Sequence, residues 1–214
     1  DKFHPSKSQR SAVQTELSWR WVAVEWLAFL VVGLLCARLS SVTMLLIASL
    51  FALQGLVYNV PPMRTKDKAY LDVISESVNN PLRLMIGWAV VDASTIPPGS
   101  LILSYWLGGA FLMAAKPLSE YRGITGTPGK DLLVRYRASF AGYGEISLAV
   151  SCLVYAMLSS FFLAVFLIKY RIEYIVLIPI IVALFGYYLA IAMQPSSSAQ
   201  KPEKLFRERG LLEL

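Results

Sequence analysis

The chain carries one histidine and two cysteines in 214 residues. A lone His4 excludes a histidine-rich metal site in this stretch. Cys36 and Cys152 each sit inside an apolar run with no ligand spacing between them, so they read as small packing residues. Charge is scarce as well: Asp, Glu, Lys and Arg make up 16%, where a soluble domain has about a quarter. The chain opens on Asp1, and no charged stretch leads into a short apolar run with a cleavage site, so no secretory leader is expected. There is no internal repeat. The glycine-rich stretch from Gly123 to Gly129 lacks phosphate-loop spacing and carries no nucleotide site.

What is abundant is apolar: 56% of residues, with a mean hydropathy of +0.56. Six segments come close to the roughly 20 residues needed to cross a bilayer. They are about Trp21–Ser40, Val42–Val60, Leu71–Val91, Ile96–Ala115, Ile146–Ile168 and Ile172–Met193. Lipid offers no partner for backbone polar groups, so each is expected to be a helix. The predicted fold class is all-α, a multi-helix transmembrane bundle forming one domain over residues 1–214.

Lys and Arg collect on the cytoplasmic side of membrane proteins. With both ends and the two long connections, Pro61–Tyr70 and Lys116–Glu145, on one side, that side holds 16 of the 20 Lys and Arg residues. The short-turn side holds Arg38, Lys169 and Arg171. The long polar loops are therefore expected to face the cytoplasm. The net charge of +6 is a topology signal and calls for no nucleic-acid partner.

Ionisable groups within a span cost about 2.5–3.5 kcal/mol each and usually face a cavity or a partner. The segment starting at Leu71 carries Asp72, Glu76, Asn79, Asn80 and Arg83 at helical spacing. Such a stripe fits the wall of a polar cavity open to the cytoplasm, with pairing of Glu76 or Asn79 to Arg83 as the simpler alternative. Glu25 in the first segment reads as structural, snorkelling or pairing with Arg20. Arg64, Lys66 and Lys68 come after Tyr58 and the Pro61-Pro62 pair. They are either topological charge or a basic rim for a phosphorylated head group. Lys116 and Glu120 share a helical face if the helix continues, although Pro117 is expected to disturb it. Arg135, Arg137, Ser139 and Tyr143 belong to a basic loop suited to anionic lipid or phosphate.

Taken together these motifs resemble the UbiA superfamily of intramembrane prenyltransferases. Asp1 matches the last aspartate of that family's first Asp-rich motif. His4, Pro5, Lys7 and Arg10 match the His-Pro-x-Lys-x-x-Arg stretch beyond it, with Ser11 in place of the next proline. Tyr58, Pro61, Pro62 and Lys66 resemble its Tyr-x-x-Pro-Pro-x-x-x-Lys loop, and Asp72 an aspartate beyond it. Where a second Asp-x-x-x-Asp element is expected stands Lys116-Pro-Leu-Ser-Glu120. With Arg137, Ser139 and Tyr143 downstream, this looks more like the branch that moves phosphoribose onto a polyprenyl phosphate. The resemblance implies a nine-helix fold cut at both ends here, in a bacterial or archaeal plasma membrane. A chain without the leading aspartates is expected to be inactive by itself.

The same resemblance implies transfer chemistry in which pyrophosphate leaves from an isoprenoid diphosphate or from phosphoribosyl pyrophosphate, with an isoprenoid or polyprenyl phosphate lipid as substrate. Mg2+ would let carboxylates hold a diphosphate, with Asp1 as the first ligand and Asp72 and Glu76 as lesser candidates for a metal, polar-substrate or structural role. Lys7, Arg10, Tyr58, Arg64, Lys66 and Arg137 would bind phosphate, and Lys66, Asp72, Lys116 and Glu120 would form the catalytic set. A transporter or a membrane scaffold is the competing class.

Overall fold

The computed structural model describes residues 18–124 and 130–194. Among these the chain is all helical: α1 (Trp19–Ser40), α2 (Val42–Asn59), α3 (Leu71–Ser77), α4 (Asn79–Val91), α5 (Gly99–Ile124), α6 (Lys130–Tyr136), α7 (Glu145–Tyr170) and α8 (Leu177–Ala192). Three 3-10 turns, Thr65–Asp67, Ala138–Gly142 and Ile172–Tyr174, lie between them.

Four helices, α1, α2, α5 and α7, are long and apolar enough to cross a membrane, which makes this a membrane protein. Their outer faces are apolar. Trp21, Phe29 and Leu39 on α1 and Ile146, Met157 and Phe161 on α7 are all exposed, as surfaces facing lipid require. Glu25 is exposed on α1.

The expectation of six unbroken spans needs correction in three places. The segment 71–91 is two short helices, because the helix is interrupted at Val78. The segment 172–193 begins with a 3-10 turn and leaves 16 residues in α8, fewer than a full crossing uses. The segment 96–115 starts at Gly99, after Pro97-Pro98, and runs through Pro117 to Ile124. Pro117 removes one backbone donor, yet Leu118 and Ser119 beside it are fully buried. Packing holds that turn where propensity would end it.

Local chemistry explains the other boundaries. The Ser41 hydroxyl caps α2 by accepting from the Met44 amide at 2.9 Å. Val60 leaves helical backbone ahead of Pro61-Pro62, ending α2. The main core lies where α5 and α7 pack along their lengths. Phe111, Leu118, Leu148 and Cys152 are buried there with Leu133 and Phe140 from the α6 region. Cys152 is the packing residue expected, whereas Cys36 is exposed. Small residues allow the close approach: Ser104 and Ser159 exchange hydroxyl-to-carbonyl hydrogen bonds at 3.1 and 3.0 Å. A second cluster, including Met44, Ile47, Leu82 and Ala89, joins α4 to α1 and α2.

Candidate functional site

The C-terminal end of α2, the 60–70 connection, α3 and the segment after α6 meet at one point. Each contributes a polar side chain. Tyr58 ends α2 and donates to Glu76 Oε2 at 2.7 Å. Arg137 reaches in from just beyond α6. Its Nη2 donates to the Tyr58 hydroxyl at 2.8 Å and pairs with Asp72 Oδ2 at 3.1 Å, with Glu76 Oε2 at 3.9 Å. Its Nε donates to the Lys66 carbonyl at 3.1 Å. One guanidinium thus ties the end of α2, the 60–70 connection and α3 to a segment far downstream in sequence.

Asp72 is 1% exposed. Its Oδ1 accepts from the Tyr143 hydroxyl and from the Val73 amide. Arg137 occupies Oδ2. A carboxylate buried this deeply is tolerated only when paired and hydrogen-bonded. Burial opposes the charge on Arg137, but the phenol oxygen of Tyr58 and the carboxylates of Asp72 and Glu76 around it outweigh that and hold its pKa above the ordinary value. Burial, then the hydrogen bond to Asp72, pushes the Tyr143 phenol upward, so it stays a donor.

Tyr70 completes the back of the site. Its backbone has φ 63, a conformation that an aromatic side chain rarely adopts. The contacts that hold it there are plain. Its amide donates to the Tyr143 hydroxyl at 3.2 Å, its hydroxyl bonds Ser147 on α7, and its ring meets Tyr143 edge-on at 5.1 Å. Gly142 fits beneath Ala69, where a Cβ would lie 2.8 Å from the alanine methyl.

In front of this network is a cleft of about 490 Å³ lined by Tyr58, Arg64, Lys66, Asp67 and the segment Val134–Ala138. Four cations border it. Arg64 is neutralised by Asp67 at 2.6 Å and Arg137 by the carboxylates behind it. Lys66 has a neutral partner, the Asn59 amide oxygen at 3.2 Å, and Arg135 is exposed. Burial first, and then the neighbouring Arg64, lowers the Lys66 pKa. An oxyanion entering the cleft would relieve that repulsion.

The expected site residues therefore divide. Tyr58, Arg64, Lys66, Asp72, Glu76 and Arg137 come together. Asn79, Asn80 and Arg83, on α4 beyond the interruption at Val78, do not join them. Arg83 lies over the Phe51 ring at 5.8 Å instead of pairing with Glu76 or Asn79. Asn80 is wedged against α5, where a Cβ on Gly109 would fall 1.9 Å from its amide nitrogen. Lys116 is exposed and Glu120 buried on α5, and neither lines the cleft. Asp1, Lys7 and Arg10 lie outside the described residues. Tyr70 was not expected at the site, and Tyr143 was expected only as part of a basic loop suited to anionic lipid or phosphate. The run Arg135-Tyr-Arg-Ala-Ser-Phe-Ala-Gly-Tyr143 showed polarity there, but not that its last tyrosine bonds Asp72.

Among the described residues no three His, Cys, Asp or Glu side chains converge as a metal site. Asp72 and Glu76 are a poor Mg2+ pair on donor chemistry alone. Their oxygens face Arg137, Tyr143 and Tyr58, and a guanidinium beside the carboxylates repels a dication. No family model, curated protein or solved structure matches the chain.

Proposed function

We infer that the protein is a membrane transferase of the UbiA type, acting on an isoprenoid diphosphate or, in the phosphoribose branch, on phosphoribosyl pyrophosphate with a polyprenyl phosphate as acceptor. The observation that carries this reading is the cation-lined cleft at Lys66 and Arg135, backed by the Arg137–Asp72 pair. Either reaction releases pyrophosphate. Cations aimed at the departing diphosphate lower the barrier because negative charge grows there in the transition state.

In this reading Lys66 and Arg135 hold phosphate oxygens directly. Arg137, fixed by Tyr58, Asp72 and Glu76, keeps the cleft floor positive and correctly shaped. Asp72 is a positioning residue: it locks Arg137 and does not itself touch substrate. Lys7 and Arg10 add cations in the proposal. Mg2+ belongs to it through Asp1, since Asp72 and Glu76 are committed to other partners. Lys116 and Glu120 keep a place only as the residues that distinguish the phosphoribose branch. The motif likeness supports the family, and the loop charge supports a cytoplasmic cleft.

The test is pyrophosphate release in detergent by the full-length parent that carries the leading aspartates, with a prenyl diphosphate plus aromatic acceptors in one arm. The other arm uses phosphoribosyl pyrophosphate plus a polyprenyl phosphate. Release in one arm, abolished by EDTA and lowered at least tenfold by Lys66→Ala, supports the reading and names the branch. No release in either, with no pyrophosphate binding at the cleft, moves the assignment to a transporter or scaffold.

A further inference from the structure

α4 packs against α2 and α5, and among the described residues nothing covers its third side. Val90 and Val91 are exposed there, and so is Tyr105 on the neighbouring α5. Between α4 and Tyr105 runs a groove of about 680 Å³, walled by Leu84, Gly87 and Trp88, with Arg83 at one end and Asp92 at the other. Arg83, Gly87 and Val91 follow one another at intervals of four, so they share one face of the helix.

The neighbours of Arg83 fix its depth. Its guanidinium lies over the Phe51 ring at 5.8 Å, and Phe51 is midway along α2, a helix long enough to cross a membrane. The Thr43 hydroxyl donates to the Ala93 carbonyl at 2.8 Å, which sets the start of α2 level with the 92–95 turn. Asp92 is satisfied inside that turn by the Ser94 amide and the Ser94 and Thr95 hydroxyls. Arg83 has an aromatic ring and, among the described residues, no anion. An arginine at mid-membrane ordinarily faces an anionic or polar partner, so the matching group has to come from outside this fold.

The groove has the form of a helix-binding face. Lipid gives no apolar driving force between helices, so they associate by close backbone approach at small residues and by polar pairs. Gly87 stands one turn from Arg83, and a Cβ there meets nothing within 4 Å. A second copy of this chain does not fit. Two α4 faces paired about an axis along the membrane normal set Arg83 against Arg83. Glu25, the exposed carboxylate on α1, is 16 residues from Ser41, whereas Arg83 is ten from Ala93. At 1.5 Å per residue the two lie about 9 Å apart in depth.

We propose that the α4–α5 groove receives a transmembrane helix of a separate protein, with an Asp or Glu paired to Arg83 and a small residue one turn on packed over Gly87. The far end of that helix lies beside the polar 92–95 turn. The site is separate from the cleft at Arg137 and does not rest on the transferase reading.

The probe is a designed leucine–alanine helix of about 20 residues with one central glutamate and a fluorescent donor at its end. It is mixed in phosphatidylcholine vesicles with the full chain carrying an acceptor on Cys36, which is exposed, and energy transfer reads binding. Peptides with glutamine or lysine at the same position are run beside it. The glutamate peptide should bind at least tenfold more tightly than the glutamine peptide. Arg83→Gln should remove that advantage, Arg83→Lys should keep it, and Gly87→Leu should weaken binding at least fivefold. Arg83→Glu should pass the preference to the lysine peptide, a gain that a misfolded variant cannot show. Equal binding of the glutamate and glutamine peptides, or an advantage that survives Arg83→Gln, overturns the proposal. Energy transfer between two labelled copies of the chain that is lost in Gly87→Leu overturns the assignment to a separate protein.

Discussion

Replacing Arg137 by Gln should destabilise the protein more than replacing Asp72 by Asn, although both break the same ion pair. The asymmetry comes from burial. The Asp72 side chain is 1% exposed and Arg137 26%. Breaking a buried pair by removing one partner costs about 3–5 kcal/mol. Asp72 keeps the Tyr143 hydroxyl and the Val73 amide, so Arg137→Gln should cost about 2–3 kcal/mol. In Asp72→Asn the stranded group is Arg137, which keeps Tyr58, Glu76 and some access to solvent. That loss should be about 1 kcal/mol, the size of one hydrogen bond. The double variant has no stranded charge at Asp72 and should be more stable than Arg137→Gln alone, with a coupling of about 1–2 kcal/mol. Reversible unfolding in mixed dodecyl maltoside and SDS micelles reads all four corners of the cycle. Additive losses, or Asp72→Asn costing as much as Arg137→Gln, would refute the account of Asp72 as a carboxylate that exists to hold Arg137.

Other outcomes rest on single contacts. Gly109→Ala forces the Asn80 amide to move and should cost about 1–3 kcal/mol, and Asn80→Ala in the same chain should restore most of it in the same micelle titration. Because the Lys66 pKa is lowered by burial and by Arg64, its positive charge is present at neutral pH and is lost on raising the pH sooner than for an ordinary lysine. Calorimetric pyrophosphate affinity at the cleft should therefore weaken on the alkaline side, and in Lys66→Arg it should hold to higher pH. The hydroxyls of Ser94 and Thr95 hold the Asp92 carboxyl down to about 2. Its contribution to the 92–95 turn is complete above the usual carboxylate range and disappears as pH falls through about 2. Carbon-detected NMR should show that titration moving upward in Ser94→Ala.

Hydropathy located the long helices because a run of apolar side chains is a sufficient cause of a span. It did not locate the interruption at Val78. Its signal was Pro81, which has no N–H for the Ser77 carbonyl four residues back, so the helix stops at Ser77 and restarts with Pro81 in its first turn. The same interruption explains why part of the site was legible and part was not. Asp72 and Glu76 are one turn apart on α3 and reach Tyr58 and Arg137 as a continuous stripe predicts. Asn80 and Arg83 belong to α4, and helical spacing carried across the break put them on the wrong face. Lys116 and Glu120 were grouped by spacing and family likeness, yet tertiary packing buries one and leaves the other exposed. Tyr143 was placed in the basic loop, but its bond to Asp72 is a contact 71 residues away in sequence, which no local pattern encodes.

That separation also bears on how the chain is made. α3 emerges from the ribosome with Asp72 and Glu76 bare, and its seven residues are too few to enter lipid alone. The tyrosine that bonds Asp72 is 71 residues downstream, about 4–14 s later at 5–20 residues per second. During that interval α1 and α2 already have their apolar faces, while the segment after them waits at the membrane surface for its neutralising partners. The Asp72–Tyr143 and Asp72–Arg137 contacts can therefore form only after the later segment is made. A chain stopped before Arg137 should leave α3 accessible to water-soluble labels.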